Sequence, residues 1–440
     1  MMASACAPRD DREAAIPSPV AGRWAATGIL SACFALSYID RQVLSLLVPS
    51  IKADLGLNDS EIGLLQGISF SLFYVAASLP LAALADRRNR SRIAATCVAV
   101  WSVMTMLCGL AASFMQLLLA RVGLAVAEAG LPPSALTLMN DLHDRRGLAR
   151  ATALFMLAPF VGGGIALTGG GVLLEWMRGF AQTSPFSAWQ LVFFCAGVPG
   201  LVIAPLVWAA VHDPRRIAVG DTDKASIRSL MDFMMGNWRF CVAYMFAIGV
   251  VIVVLNAHIA WMPAAILRRF PVGEGAMGLA FGVTYLIAGS IGTLGAGWIT
   301  SRGSEATMLR RTLSLMRNGA MLLCPFAIIA PFAPGYAVMI ALTGVAVLFN
   351  SGVIAMGSIP FQIAAPPQLR AQAIALTSLV AALIGTGLGP LATGLLSDAL
   401  TASGMEHALS GALAIVGGTC AAIAAALMHF AMRNAIAQRD

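Results

Sequence analysis

The chain is built mainly of apolar stretches that are each long enough to cross a lipid bilayer. An α-helix rises 1.5 Å per residue, so about 20 apolar residues span the hydrocarbon core. Of the 440 residues, 59% are hydrophobic and 11% are charged, whereas soluble domains carry about 25% charge. We therefore predict an all-α membrane protein with twelve transmembrane helices. The predicted cores lie near residues 24–48, 61–85, 93–112, 115–139, 151–174, 189–211, 240–261, 276–299, 312–331, 336–360, 371–395 and 409–432.

The distribution of basic residues predicts the orientation. With a cytoplasmic N-terminus, the cytoplasmic segments contain 21 of the 28 Lys and Arg residues, as the positive-inside rule requires. Residues 1–23 and 433–440 are then cytoplasmic tails, and residues 212–239 form a cytoplasmic linker between the halves 24–211 and 240–432. The net charge of +7 follows from this topology, which argues against a nucleic-acid partner.

The linker contains a candidate surface helix. Ile227, Leu230, Met231 and Met234 recur at helical spacing, which is typical of a short amphipathic helix on a membrane. The alternative is a solvated linker in which the spacing arises by chance.

Several classes of function are disfavoured by missing motifs. The two lysines, Lys52 and Lys224, are each followed by alanine, so the sequence lacks the GK[ST] phosphate loop of an ATP-driven pump. It also lacks the HExxH and GxSxG motifs of hydrolytic enzymes. None of the eight cysteines forms a CxxC pair, and we expect no disulfide, metal site or cofactor. A receptor that transports nothing remains an alternative.

Four charged residues interrupt the apolar spans of the first half. Asp40 and Arg41 are adjacent in the first span, and Arg121 and Glu128 lie seven residues apart in the fourth, two turns along one helix face. Asp40 is predicted about 24 Å from the inner face of a core about 30 Å thick, Arg121 at a comparable depth, and Glu128 near the middle of the membrane. A charge at the centre of the membrane costs roughly 2.5 to 3.5 kcal/mol. Polar contacts between helices return only about 0.6 kcal/mol on average. We therefore favour a functional role over a purely structural one.

The two halves resemble each other at matching positions. ADRRNRSR follows the second span and GWITSRGSE follows the eighth, while ARATALF opens the fifth span and LRAQAIALT the eleventh. Such spacing indicates a duplicated six-helix unit around a central cavity.

These motifs resemble those of the major facilitator superfamily and of its spinster-like branch. ALADRRNRSR is similar to the superfamily loop GxxxDRxGRxx, with Ala82 and Asn89 at its usual glycines. YIDR at 38–41, WSVMT at 101–105 and AEAGLPPSALTLMNDL from Ala127 resemble spinster-like transporters. PPQLRAQAIALTSLVAALIGTGLGPLATGLLSD resembles their bacterial members, and the likeness covers nearly the whole chain from about residue 24. The resemblance implies two pseudo-symmetric six-helix bundles of the major facilitator fold.

The resemblance also implies roles for the buried charges. Asp40 and Glu128 match positions implicated in proton coupling, and Arg41 matches a position implicated in contact with an anionic substrate. Arg121 is added to the substrate contact on geometry, because it is predicted at a comparable depth to Asp40 and can meet it.

A conformational latch is expected in the loop after the second span. In the superfamily this loop's aspartate caps a helix of its own bundle and latches the halves, which assigns the latch here to Asp86, Arg87 and Arg90. Ser301 stands at the equivalent acidic position of the second half, so we expect a one-sided latch.

The remaining residues singled out are small or neutral. Pro159, Gly162 and Gly163 in the fifth span are expected to allow close helix packing. His258, Asn350 and Gln362 are candidates for lining the cavity, with ordinary helix packing as the alternative. Arg317 near the inner end of span nine is expected to reach the membrane surface.

Together these features predict a proton-coupled secondary transporter of the inner or plasma membrane that works by alternating access. We expect it to act as a monomer and to carry an amphipathic organic anion of lysolipid or sphingoid type, with membrane lipid, substrate and protons as its partners. The alternative substrate is a small carboxylate such as a sugar acid, because organic-anion symporters also carry a DR pair in the first span and an acid in the fourth.

Overall fold

Helices long enough to cross a membrane make up most of the described part of the protein. The computed structural model describes residues 20–213, 227–300 and 308–435, and in that part twelve helices are long and apolar enough to cross a membrane. We number them spans 1 to 12: Gly22–Leu55, Asp59–Ala85, Arg90–Cys108, Phe114–Leu142, Arg150–Ala181, Ala188–Ala210, Trp238–Arg269, Glu274–Thr300, Met308–Phe332, Tyr336–Ala364, Arg370–Ala402 and Ala408–Arg433. The prediction of an all-α protein with twelve spans is confirmed.

One predicted core extends clearly beyond the helix that the structure shows. Span 3 ends at Cys108, four residues before its predicted core ends, because a turn at Gly109 leads directly into the next helix. That helix begins after Ser113, whose hydroxyl caps it by accepting from the Gln116 backbone N–H.

Four of the spans are interrupted helices. Such breaks are tolerated where neighbouring protein or a cavity satisfies the freed backbone groups. The paired segments are Asp59–Gln66 with Ile68–Arg87, Phe114–Glu128 with Leu131–Leu142, Tyr336–Ala355 with Ile359–Ala364, and Arg370–Ala381 with Gly387–Ala402. In the last pair a π-helical turn, Ala382–Thr386, joins the two segments.

The linker between spans 6 and 7 contains the predicted short helix, Ile227–Gly236. Leu230 and Met234 on one of its faces pack against the core of the second half, while Met231 is exposed. The odd-numbered spans begin, and the even-numbered spans end, on the side of the molecule that carries this linker. We call this the linker side and the opposite side the far side.

The two halves meet along helices that approach closely through glycines. Span 5 packs against span 8, and the first segment of span 2 packs against span 11. A Cβ built on Gly278 would lie 2.3 Å from the carbonyl oxygen of Leu167, and one on Gly63 would lie 2.6 Å from that of Pro390. Small residues at these contacts let the backbones touch.

Span 5 also contacts span 1 through a glycine. A Cβ built on Gly162 would lie 2.0 Å from the carbonyl oxygen of Ala35, so a side chain at this position must push the two helices apart. Gly163 faces the ring of Tyr285 across the boundary between the halves.

We expect Gly162→Ala to lower the melting temperature of the purified protein, because overpacking a tight helix contact costs about 1 to 3 kcal/mol. Gly169→Ala in the same helix is the matched control, since a Cβ there meets nothing within 4 Å. Alanine is the better helix former, so this control should melt at or slightly above the parent temperature. Equal melting temperatures for both variants would contradict the packing at Gly162.

Candidate functional site

An ion pair between spans 1 and 4 lies at the centre of the candidate site. Arg41 donates to Glu128 through Nε at 2.6 Å and Nη2 at 2.5 Å, both to the same oxygen, Oε2. The Glu128 side chain is fully buried, whereas that of Arg41 is 17% exposed. Glu128 is the last residue of its helical segment, and Oε1, its other oxygen, is buried without a hydrogen-bond partner.

Asp40 is buried next to this pair but is not part of it. The residue is 1% exposed, and both of its carboxylate oxygens are without a hydrogen-bond partner. An ionised carboxylate in such a place is very costly, whereas a neutral carboxyl group is tolerated. Asp40 therefore lacks a hydrogen-bond partner that would stabilise its charged form.

Arg121 lies beside Asp40, as its predicted depth suggests, but contacts the backbone. Its Nη1 donates to the carbonyl oxygen of Asp40 at 3.3 Å, and its Nε is buried without a partner. Among the described residues no carboxylate forms a salt bridge with Arg121. The four charged residues are thus close together, with one ion pair, one unpaired acid and one unpaired arginine.

Aromatic rings hold the two guanidinium groups in place. The carbon Cζ of Arg41 lies 4.5 Å from the ring centre of Phe70, and that of Arg121 lies 5.5 Å from the same ring. Tyr38 and Tyr74 complete the surroundings of Arg41 at 4.9 and 5.0 Å. These rings were not predicted as part of the site, although the spacing of Phe70 and Tyr74 at i and i+4 places them on one helix face.

The site borders a central cavity of about 670 Å³ between the halves. Arg41 and Arg121 line it from the first half, together with Gln66, whose Nε2 is buried without a partner. The second half contributes mainly apolar side chains, which include Ile248, Ile252, Leu255, Ile259, Ile354 and Ile374. One wall of the cavity is therefore polar and cationic, and the opposite wall is largely apolar.

The cavity extends toward the linker side. Thr152 at the beginning of span 5, Ser358 near the end of span 10 and Thr377 in the first segment of span 11 all line it.

The three residues expected at the cavity from the second half lie elsewhere. His258 is buried within that half, with Nδ1 2.9 Å from the carbonyl oxygen of Val254. Asn350 donates from Nδ2 to the Val251 carbonyl at 3.2 Å, and Gln362 is exposed and donates to Ser358. The polar residues that line the cavity from this half include Asn256, Tyr285, Ser358, Thr377 and Ser378.

The residues expected to form a latch are only partly described. Arg90 is buried and joins its own half to the start of the linker. Its Nη1 lies 2.6 Å from Asp141 Oδ2 in span 4, and its Nη2 lies 2.5 Å from Asp213 Oδ1 in the linker. Arg87 is exposed. The side chain of Asp86 and the expected counterpart Ser301 lie outside the described residues.

Charged contacts close the far side between the halves. Asp59 of span 2 accepts from Arg268 of span 7 at 2.6 and 2.8 Å and from Ser397 of span 11 at 2.7 Å, and it also pairs with Lys52. Asp398 caps the start of span 2, accepting from the backbone N–H of Asp59 at 3.1 Å and of Ser60 at 2.7 Å. We call these contacts the far-side clamp.

A second closure on the far side joins spans 5 and 8. Arg178 lies 2.5 Å from Glu274, and Glu175 accepts from the backbone N–H of Gly275 at 2.8 Å. Neither this closure nor the far-side clamp was predicted from the sequence. Charged residues are common at the ends of membrane spans, so these did not stand out as candidate contacts. The cavity is thus closed on one side and extends toward the other.

Comparison with known proteins gives a consistent family. The model of the Major Facilitator Superfamily matches residues 30–390. The chain is 27% identical over 407 residues to an MFS-type efflux pump of Mycolicibacterium smegmatis, with 89% of each chain covered. It is 24% identical over 419 residues to a probable L-galactonate transporter of Escherichia coli, with 91% of this chain and 87% of the relative covered. It is 24% identical over 404 residues to the sphingosine-1-phosphate transporter SPNS2 of Xenopus tropicalis, with 88% and 76% covered.

The fold is also similar to a solved structure. A bacterial homologue of the human lysosomal transporter Spinster, crystallised in an inward-facing and unoccupied conformation, superposes with a TM-score of 0.82. The two chains are 24% identical, and the match covers 95% of this chain and 98% of the other. At this level of identity the likeness establishes the fold.

The far-side clamp is expected to hold the protein in a conformation that is closed on the far side. We expect Asp59→Asn to shift the population toward forms open on the far side by about 1 to 3 kcal/mol, a typical coupling energy. Spin labels at Gln182 and Ser403 in the far-side loops of the two halves should then report longer distances.

Asp54→Asn is the matched control, because Asp54 accepts from Trp189 Nε1 at 2.6 Å within the first half. This variant should keep the parent distance distribution. An unchanged distribution in Asp59→Asn would show that the clamp does not hold the far side closed.

Proposed function

The chain belongs to the Major Facilitator Superfamily, and on that premise we propose that it is a proton-coupled transporter of an amphipathic organic anion, of lysolipid or sphingoid type. The family match and the likeness to a Spinster homologue confirm the resemblance predicted from the motifs. The chain is a spinster-like secondary transporter that crosses the membrane twelve times, and it is not an enzyme. In the proposal the linker side faces the cytoplasm of an inner or plasma membrane and substrate moves by alternating access.

One observation carries the proposal: both carboxylate oxygens of Asp40 are buried without a partner. If Asp40 holds a proton there, the charges at the cavity do not balance. Two arginines, Arg41 and Arg121, then face one carboxylate, that of Glu128, which leaves one net positive charge at the polar wall. An anion bound against this wall would balance it. The unpaired Arg121 Nε and Gln66 Nε2 provide buried donors that lack a partner in the protein and are therefore available to a substrate.

The shape of the charge distribution supports an amphipathic substrate. A head group would bind at Arg41, whose planar guanidinium suits carboxylate and phosphate groups. An apolar tail would bury against Ile248, Ile252 and Ile354 on the opposite wall, gaining about 25 cal/mol for each Å² of apolar surface removed from water.

Coupling to protons follows from the same charge balance. When Asp40 loses its proton, its carboxylate neutralises Arg121 and the site has no net charge, so an anion is bound less well. Proton and anion are therefore expected to bind together and to leave together. This cooperativity links the proton gradient to the anion without any further cofactor.

A small organic anion such as a sugar acid is the second candidate substrate. It is supported by the similarity to the probable L-galactonate transporter of Escherichia coli, and it would use the same arginines. The two candidates differ in their need for the apolar wall. We expect lysophosphatidylglycerol to raise the melting temperature of the purified protein more than galactonate does at equal concentration. The reverse order would favour the small anion.

We expect Asp40→Asn to remove the pH dependence of transport while leaving the protein folded, because the amide mimics the neutral carboxyl group and cannot titrate. Glu128→Gln should also lose proton dependence, since the two arginines then keep the site positively charged whether or not Asp40 carries its proton. Uptake of lysophosphatidylglycerol into proteoliposomes would be measured with and without an imposed pH gradient. Parent-like stimulation by the gradient in both variants would exclude these residues from coupling.

A separate prediction tests the role of Arg41 as the anion contact. Lysine keeps the charge but loses the rigid fork of donors, so Arg41→Lys should bind lysophosphatidylglycerol at least about tenfold more weakly, roughly 1.4 kcal/mol. It should melt near the parent temperature, because lysine can still pair with Glu128. Full affinity in Arg41→Lys combined with a lower melting temperature in Arg41→Ala would mean that Arg41 serves only as a counter-ion.

A further inference from the structure

A groove on the outer surface of the second half holds a charged residue that the transport site does not use. The groove has a volume of about 700 Å³ and lies between spans 9 and 12. It is lined by Arg317 and His429 together with small or apolar side chains that include Met321, Ala422, Ala425 and Ala426. Met321, which is 57% exposed, marks this surface as one that faces lipid in the membrane.

The environment of Arg317 is unusual for a membrane span. Its guanidinium donates to Asn318 Oδ1 from Nε at 3.1 Å and from Nη2 at 2.8 Å, and its Nη1 lies 3.4 Å from His429 Nδ1. Among the described residues no carboxylate forms a salt bridge with it. An arginine inside a bilayer is costly unless an anion or water compensates its charge.

The contacts of Arg317 hold its guanidinium within the groove. Arg317 lies nine residues into span 9, which begins at Met308, or about 13 Å along the helix. Its partner His429 lies four residues before the end of span 12, so the guanidinium is held in the part of the groove nearer the linker side. The positive charge is therefore available to the head group of a molecule in the groove.

We propose that this groove binds an anionic phospholipid from the leaflet on the linker side. The phosphate group accepts hydrogen bonds from Arg317, which forms strong charge-assisted bonds to phosphate. The small side chains of Ala422, Ala425 and Ala426 leave room for an acyl chain beside Met321. Basic pockets between helices are a known way for membrane proteins to bind lipid head groups on the cytoplasmic side.

The first half contains a groove between the corresponding spans. Spans 3 and 6 enclose about 540 Å³, and Arg92 of span 3 and Trp208 of span 6 both line this groove close to its linker-side end. Arg92 is the third residue of its span, so it stands close to the membrane surface and does not share the depth of Arg317. The duplicated unit thus builds a lipid-facing groove with an arginine in each half, and only the second groove holds its arginine deep in the span.

The experiment is native mass spectrometry of the full-length protein titrated with phosphatidylglycerol, phosphatidylcholine or inorganic phosphate. We expect phosphatidylglycerol to be retained in preference to phosphatidylcholine, with no retention of inorganic phosphate. Arg317→Gln should weaken this retention at least about tenfold. Ala422→Phe, which fills the groove without changing its charge, should weaken it similarly.

Arg310→Gln is the matched control, because Arg310 is an exposed arginine of the same span that does not line the groove. It should retain phosphatidylglycerol as the parent does. Parent-like retention in both Arg317→Gln and Ala422→Phe would overturn the proposal, as would an equal loss in Arg310→Gln, which would indicate unspecific attraction to basic residues. A dimer that both groove variants dissociate without any change in lipid retention would assign the groove to a second copy of the chain instead.

Discussion

The interior of a membrane accepts neither an isolated charge nor an unpaired backbone group, and this constraint determines most of what the structure does. It makes the chain helical wherever it crosses the bilayer, and it drives the charged residues of spans 1 and 4 toward each other. Arg41 and Glu128 satisfy it by pairing directly. Asp40 and Arg121 satisfy it incompletely, since each keeps buried polar atoms without a partner. A proton on Asp40 and an anion near Arg121 would supply the partners that these groups lack within the protein.

The sequence predicted which charged residues come together but not how they pair. Span length and the seven-residue spacing of Arg121 and Glu128 set their depth and their common face, and both follow from helix geometry alone. The choice of partner depends on how spans 1 and 4 are rotated against each other and on the break after Glu128. Arg121 consequently reaches the carbonyl oxygen of Asp40 rather than its carboxylate, a difference of a few ångströms that no periodicity encodes.

The same limit explains the misplaced cavity residues of the second half. Asn256 and His258 are two residues apart on span 7, so their side chains point about 200° apart around the helix. Asn256 lines the cavity, whereas His258 faces span 12 beside Gly417. Span 7 is apolar on nearly all of its faces, so hydropathy does not indicate which of them lines the cavity. The contacts between Asp59 and Arg268 could not be predicted from the sequence either, because they join residues 209 positions apart.

Span 11 connects the substrate cavity to the closed far side. Its residues Ala382 and Thr386 line the cavity within the π-helical turn, and Pro390 also lines it. The carbonyl oxygen of Pro390 at the same time lies against Gly63 of span 2 and accepts from Trp261 Nε1 at 2.9 Å. A ligand that packs against this wall therefore contacts the helix that seals the far side. Since a ligand shifts a conformational equilibrium only by its differential affinity for the two states, contacts on span 11 give the substrate a direct means of changing how readily that seal opens.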